Sequence, residues 1–191
     1  LVPDPVFSPA PLLRDRVAQH KAARPYIVIC TQGRKSEAWV ASLTRKAEAA
    51  GYDTLALPTP EGLIDSGTTR TMPSPLDPLD CAHAILGASG YVGGRFHPVV
   101  ISLSAGNAAV ALDLYHAHPF KRVRSKTWQI MRRFWLASAC HSWITHRMLT
   151  PGLVWAQIRS SEARRAKADL IAAEVDAWYE RIAATTWAEA A

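Results

Sequence analysis

The sequence predicts an α/β domain with a doubly wound parallel sheet, followed by C-terminal helices. Three observations lead to this prediction. Strand-like and helix-like segments alternate along the first 113 residues. The strand-like segments are continuously apolar, as in parallel strands that are buried on both faces. The helix-like segments begin at N-cap residues or prolines and end at glycines, which mark helix boundaries chemically. Parallel strands joined through helices define this fold class.

The first strand–helix–strand unit is predicted from three segments. Tyr26 to Cys30, "YIVIC", is a short apolar run typical of a buried strand. Ser36 is a suitable N-cap for the next helix, Glu37 lies in its first turn where the helix dipole favours an acid, and Gly51 ends it. The second strand is predicted from Asp53 to Pro58.

A long loop and a second helix precede the third strand. Thr59 to Pro75 is rich in Pro, Gly and Thr, and loops of this length in a compact domain are commonly functional or disordered. Asp77 is expected to cap a helix that has Pro78 at its first position and that ends near Gly87.

The stretch from Gly90 to Asp113 predicts a further strand, helix and strand. The strand ends at Gly93-Gly94, and Pro98 opens an apolar helix that stops at Ala105-Gly106. The next strand spans Ala108 to Leu112.

The rest of the chain is predicted to be helical. The expected helices run from Ser125 to Leu136, from Ser138 to Leu149, and from Ser161 to about Ala184.

The domain organisation follows from these elements and from the proline-rich start. We expect residues 1–24, which are rich in proline, to form a hinge or linker. Residues 25–191 are expected to form one Rossmann-like domain with a helical C-terminal extension.

Composition indicates one globular domain of 191 residues, with 49% hydrophobic and 20% charged residues. No apolar run is long enough to span a bilayer, and the start, "LVPDPVFSPAP", lacks the features of a signal peptide. We interpret that start as a linker from something upstream. The three cysteines are far apart in the sequence, which predicts neither a disulfide framework nor a metal site and favours the cytoplasm.

The formal charge is +6, which favours an anionic partner. Six Lys and Arg residues, and no acidic residue, fall between Lys121 and Arg133. Such a run is commonly a solvated helix face. The other interpretation is peripheral association of the basic segment 121–133 with the inner face of a membrane.

Candidate binding residues follow the predicted strands. Ligands of parallel α/β sheets bind at the carboxyl ends of the strands. The cationic residues that follow the strands are Arg34, Arg70, Arg95, His97 and Lys121. Because a helix N-terminus also attracts anions, we expect these side chains to hold a small anion with more than one charge.

Each candidate also has a simpler interpretation. Arg95 could neutralise a carboxylate at the sheet edge, His97 could be only a helix N-cap, and Asp113 could only cap a strand end. His116 and His118 are a weak metal pair, so no metal site is predicted. The chain has no GxGxxG, GxSxG or P-loop pattern, which argues against dinucleotide binding and against ordinary hydrolases and NTPases.

The sequence "GRFHPVVISLSAGNAAVALD", followed by Lys121, resembles the C-terminal half of polysaccharide pyruvyl transferases. Shared features are an Arg-x-His motif at a helix start (Arg95 and His97), a glycine-centred turn, a strand and then a lysine. "LVPDPVF" is similar to the hinge before the second domain of that family.

This resemblance implies half of a two-domain, glycosyltransferase-B-like transferase that acts in exopolysaccharide biosynthesis. The enzyme would move the pyruvyl unit of phosphoenolpyruvate onto two hydroxyls of a glycan or a lipid-linked sugar, forming a pyruvate ketal without a cofactor. Arg95 would hold the donor, and His97 would protonate the enol carbon or stabilise developing charge. Lys121, or else Arg122 or Lys126, would bind phosphate. The acceptor site would require an N-terminal domain.

Two other functions are kept as alternatives. A half-domain of a sugar-nucleotide glycosyltransferase would share the fold, but the sequence has no clear acidic position for a ribose. A non-enzymatic module that binds nucleic acid or another anion is supported by net charge alone, and no recognition motif accompanies that charge. We therefore expect no nucleic-acid partner.

Overall fold

A computed structural model describes residues 24–59, 62–75, 77–115, 124–142 and 144–160, together with residues 170, 173, 174 and 177. It contains one sheet of six parallel strands in the order β3-β2-β1-β4-β5-β6. The strands are β1 (Tyr26–Cys30), β2 (Asp53–Ala56), β3 (Arg70–Thr71), β4 (Gly90–Gly93), β5 (Ala108–Leu112) and β6 (Cys140–His141). This is the strand order of a Rossmann fold, so the predicted fold class is confirmed.

Six α-helices are assigned within the described residues. They are α1 (Glu37–Ala49), α2 (Pro78–Leu86), α3 (Phe96–Ser104), α4 (Lys126–Arg133), α5 (Thr145–Met148) and α6 (Pro151–Arg159). The chain steps outward from β1 to β2 and then back across the sheet to β4 and β5. Right-handed connections therefore place α1 on one face and α2 and α3 on the other. Helix α6 packs against α1, and α4 packs against α3, so both faces of the sheet are covered.

The predicted helix caps are confirmed. The Ser36 side chain accepts a hydrogen bond from the Trp39 amide, and the Asp77 carboxylate accepts bonds from the first-turn amides of α2. Ser125 caps α4 in the same way. These caps satisfy amides that have no carbonyl partner within their own helix.

Helix α3 begins earlier than predicted. It starts at Phe96 rather than at Pro98, and Arg95 is the N-cap residue. Proline is tolerated here because no amide in the first turn of a helix has an intrahelical acceptor. His97 therefore lies inside the first turn, and its interpretation as an N-cap is wrong.

The helix predicted from Ser138 to Leu149 is wrong. That segment contains a 3₁₀ turn (Ala137–Ala139), then β6, then the short α5. Pairing with β5, Ala111 beside Cys140 and Leu112 beside His141, outweighs the local helical propensity.

Two other elements were absent from the sequence prediction. Strand β3 lies inside the predicted loop from Thr59 to Pro75, and α6 follows α5. Of the helix predicted from Ser161 to Ala184, only the four separate residues named above are described, and each is helical. Of the hinge predicted at residues 1–24, only Arg24 is described, and it pairs with Asp53 at 3.3 Å. Among the described helices, none has both the length and the apolar character needed to span a membrane.

Candidate functional site

An open cleft of about 720 Å³ lies at the carboxyl ends of β1 and β4. These adjacent strands are where the strand order reverses, and ligands of open α/β sheets bind at such switch points. Its polar lining residues are Gln32, Arg34, Thr59, Arg95, His97, Asp113, Tyr115 and Thr127. The cleft therefore contains three of the five cationic side chains that the sequence predicted for one site.

Arg34 crosses the top of the sheet. Its side chain leaves the turn after β1, passes over Gly94 and donates a hydrogen bond from Nη1 to the Leu112 carbonyl at 3.0 Å. A Cβ on Gly94 would lie 1.4 Å from that Nη1. The second glycine of the Gly93-Gly94 pair therefore leaves room for a guanidinium, which explains a glycine pair that forms no dinucleotide motif.

Arg95 and His97 lie at the N-terminus of α3 and line the same cleft. Arg95 is half-buried, whereas His97 is exposed at the rim. The amides of Phe96 and His97 are in the first turn of α3 and have no carbonyl partner within the helix. Two side chains and the positive end of a helix thus face one space, which favours a bound anion.

Burial and a neighbouring cation both act on Arg34. Burial lowers the pKa of its guanidinium, and the positive charge of Arg95 lowers that pKa further, although Tyr91 opposes the shift. Two partly buried like charges in one cleft repel each other. An anion placed between them would remove this repulsion.

Asp113 supplies a carboxylate at the cleft, but that carboxylate is engaged in structural hydrogen bonds. It is buried at the end of β5 and accepts bonds from the Tyr115 amide at 2.9 Å, from the Ser125 hydroxyl and from the Cys140 thiol at 3.8 Å. These bonds fix the start of α4 against the sheet. The interpretation of Asp113 as the cap of a strand end agrees with these contacts.

The cleft also contains two cysteines, Cys30 and Cys81. Burial, with smaller contributions from Asp65 and Cys81, raises the pKa of the Cys30 thiol to about 12. Burial raises the pKa of Cys81 as well. Because the thiolate is the nucleophilic form, neither cysteine is suited to covalent catalysis near neutral pH.

A buried carboxylate holds the loop after β2 against the cleft. Asp65 accepts hydrogen bonds from both the amide and the hydroxyl of Thr31, which is fully buried at the end of β1. Gln32, which directly follows Thr31, adopts a left-handed backbone with φ of 58°. The sequence indicated the turn through Gly33, but it gave no signal that Asp65, more than thirty residues away, completes it.

Asp65→Ala is expected to destabilise the fold by about 2–3 kcal/mol, because the buried Thr31 amide would lose its acceptor. Thermal unfolding measures the loss, and limited proteolysis between residues 62 and 75 reports release of the loop. Asp65→Asn keeps one acceptor oxygen and should lose less stability. Equal stability of Asp65→Ala and the parent protein would contradict this role.

Arg70 does not lie in the cleft. It begins β3, pairs with Asp53 at 3.8 Å and lies 5.3 Å from the Tyr26 ring. Both partners are at the amino ends of their strands, so the predicted placement of Arg70 beside Arg34 and Arg95 is wrong.

The remaining predicted residues lie outside the described part of the chain. These are Lys121, its alternative Arg122, and the two histidines His116 and His118. Lys126 is described and is exposed at the start of α4. Within the described residues, no three His, Cys, Asp or Glu side chains are grouped so as to hold a metal ion.

No protein-family model and no curated protein matches this sequence. Among solved structures, the chain is similar to the crystal structure of the glycosyltransferase SnogD from Streptomyces nogalater. Sequence identity is 12% and the TM-score is 0.40, over 85% of this chain and 43% of that one. The chain thus spans less than half the length of that structure. A similarity this distant supports no conclusion about activity, and the fold assignment depends on the strand order alone.

Proposed function

We propose that this chain is the donor-binding half of a polysaccharide pyruvyl transferase and that the cleft between β1 and β4 binds phosphoenolpyruvate. The observation that supports the proposal is the pair of guanidinium groups, Arg34 and Arg95, beside the first turn of α3. Phosphoenolpyruvate carries a phosphate and a carboxylate close together. Such a ligand requires several fixed cations, and a guanidinium can bind either group through two parallel hydrogen bonds.

The chemistry of ketal formation assigns a role to His97. The C2 carbon of phosphoenolpyruvate must gain bonds to two sugar oxygens and lose its bond to phosphate, while C3 gains a proton. The two sugar hydroxyls release two protons, of which one balances the proton gained by C3 and the other leaves with phosphate. An imidazole can transfer protons near neutral pH, and His97 is at the open rim where the acceptor would approach.

Arg34 and Arg95 would stabilise the negative charge that develops during the reaction. As the bond to phosphate breaks, charge accumulates on the leaving group. Arg34 is already fixed by its bond to the Leu112 carbonyl, so it needs little reorganisation during the reaction. The acceptor hydroxyls would be positioned by the first domain that this proposal requires.

The proposal is tested by measuring the Tm of the chain with and without phosphoenolpyruvate. At a concentration of about one hundred times Kd, binding should add about 2.7 kcal/mol. For a domain of this size that corresponds to a rise in Tm of about 5–10 °C. Pyruvate and inorganic phosphate, each carrying only part of the ligand, should raise Tm much less at the same concentration.

Two results would overturn the proposal. One is no response to phosphoenolpyruvate, or a response that phosphate alone reproduces. The other is a larger shift with a nucleoside diphosphate sugar, which would favour the glycosyltransferase alternative.

A further inference from the structure

Helix α4 carries a basic surface on the side away from the core. Thr127 and Met131 are buried, and the half-buried Trp128 packs against the edge of the core. Lys126, Arg132 and Arg133 are exposed. We define the α4 surface by its basic and aromatic members Arg124, Lys126, Trp128, Arg132, Arg133 and Trp135. The helix contains no acidic residue.

The aromatic ring of Trp128 lies between two of these cations. The Arg124 guanidinium carbon is 3.9 Å from the ring centroid and that of Arg132 is 5.5 Å from it. Cation–π contacts of this kind hold long side chains in place. The guanidinium groups are thus presented as an ordered surface rather than as freely rotating side chains.

Trp135 follows α4 and has two unusual properties. Its side chain is 78% exposed, and its backbone φ is 57°, in the left-handed region that bulky residues avoid. This left-handed residue ends α4 in a Schellman motif, in which the Trp135 amide donates to the Arg132 carbonyl at 3.0 Å and the Leu136 amide donates to the Met131 carbonyl at 2.8 Å. A large exposed indole beside cationic residues is typical of protein segments that lie in a membrane interface.

The charge of the α4 surface is only partly neutralised. Among the described residues, Arg133 has a carboxylate partner, Glu174, at 2.9 Å, while no carboxylate is paired with Arg124, Lys126 or Arg132. Three cations beside an exposed indole complement a surface that is both anionic and partly apolar. Nucleic acid is a poorer match, because the guanidinium groups flank the Trp128 ring on which a base would stack.

We propose that the α4 surface docks this protein onto membranes that contain anionic lipid, with Trp135 inserted at the level of the headgroups. Each cation near such a membrane contributes about 1 kcal/mol of binding, or about fivefold in affinity. Thr127 of the same helix lines the cleft, so docking would hold the cleft close to the lipid surface. Of the α4 surface only Lys126 is also a candidate for binding phosphate, so the test uses Arg124, Arg132 and Trp135, which have no part in the proposed phosphoenolpyruvate site.

The test is cosedimentation of the full 191-residue chain with vesicles. Vesicles of equal parts phosphatidylcholine and phosphatidylglycerol should retain the protein, and pure phosphatidylcholine should not. Higher salt should release it, because the attraction is screened. Arg124→Ala combined with Arg132→Ala should weaken binding by about 25-fold, about fivefold for each charge.

Two further variants separate docking from folding and from net charge. Trp135→Gly should lower vesicle binding while leaving Tm unchanged or raised, since glycine accepts the left-handed backbone. Arg45→Ala combined with Lys46→Ala removes the same charge from exposed positions on α1 and should leave vesicle binding close to that of the parent protein.

Three results would overturn the proposal. The first is no retention on anionic vesicles. The second is an equal loss of binding in the α1 control variant. The third is another occupant of the same surface, seen either as an RNA oligonucleotide that displaces vesicles or as a dimer that Trp135→Gly dissociates in sedimentation velocity.

Discussion

Arg95→Ala is expected to weaken phosphoenolpyruvate binding about 100-fold while the protein stays folded. The variant removes one of two guanidinium groups that face the cleft, and a lost hydrogen bond between charged partners in a partly desolvated site costs about 3 kcal/mol. The residue is half-buried and precedes the helix, so the main chain of α3 has no need to move. Isothermal titration calorimetry with phosphoenolpyruvate measures the change directly.

Three comparisons make this expectation specific. Arg95→Lys should recover only part of the affinity, because an ammonium cannot form two parallel bonds to one anionic group. His97→Ala should lower affinity less than Arg95→Ala does, because His97 is exposed at the rim. Arg70→Ala removes the same charge from a residue that pairs with Asp53, and its affinity should match that of the parent protein. Equal losses in Arg70→Ala and Arg95→Ala would mean that the effect is one of net charge alone.

The predictable part of the fold is the part encoded by neighbouring residues. Strand β1 is five consecutive apolar residues, and α1 and α2 each begin with a side chain that caps its own first turn. Such signals involve only residues within one or two helical turns of each other in the sequence. They place an element correctly whatever the rest of the molecule does.

The two strands that sequence analysis missed are created by pairing between distant residues. Strands β3 and β6 have two residues each, too few for any alternating or continuous apolar pattern. The local sequence of Cys140 and His141 favours a helix. These residues adopt an extended strand conformation because they pair with the edge of β5.

The same reasoning explains which site residues could be predicted. Arg34, Arg95 and His97 follow strands whose ends were correctly located. Because ligands bind at the carboxyl ends of parallel strands, the sequence correctly predicted that these three side chains share one cleft. Arg70 was placed wrongly because it starts a strand that the sequence did not reveal. In that strand it lies opposite Leu55, and its side chain points back towards the start of β2.

Gly93 at the end of β4 is the position where a single methyl group should do the most damage to the fold. An added Cβ would lie 2.3 Å from the Tyr91 hydroxyl and 2.5 Å from the Cys30 carbonyl oxygen. Tyr91 is fully buried, and Cys30 pairs with Gly93 in the centre of the sheet, so neither can move aside. Overpacking of this severity should destabilise Gly93→Ala by about 3 kcal/mol and lower Tm by about 10 °C, measured by thermal unfolding.

A glycine on the surface provides the matched control. At Gly152, in the first turn of α6, a Cβ would come no nearer than 3.8 Å to any other group. Gly152→Ala should therefore be neutral or stabilising by up to about 0.5 kcal/mol, because alanine loses less backbone entropy in a helix. If the two variants unfolded at the same temperature, the close approach of β1 and β4 at Gly93 would be contradicted. The cleft that these two strands form would then lack the rigid floor on which Arg34 and Arg95 depend.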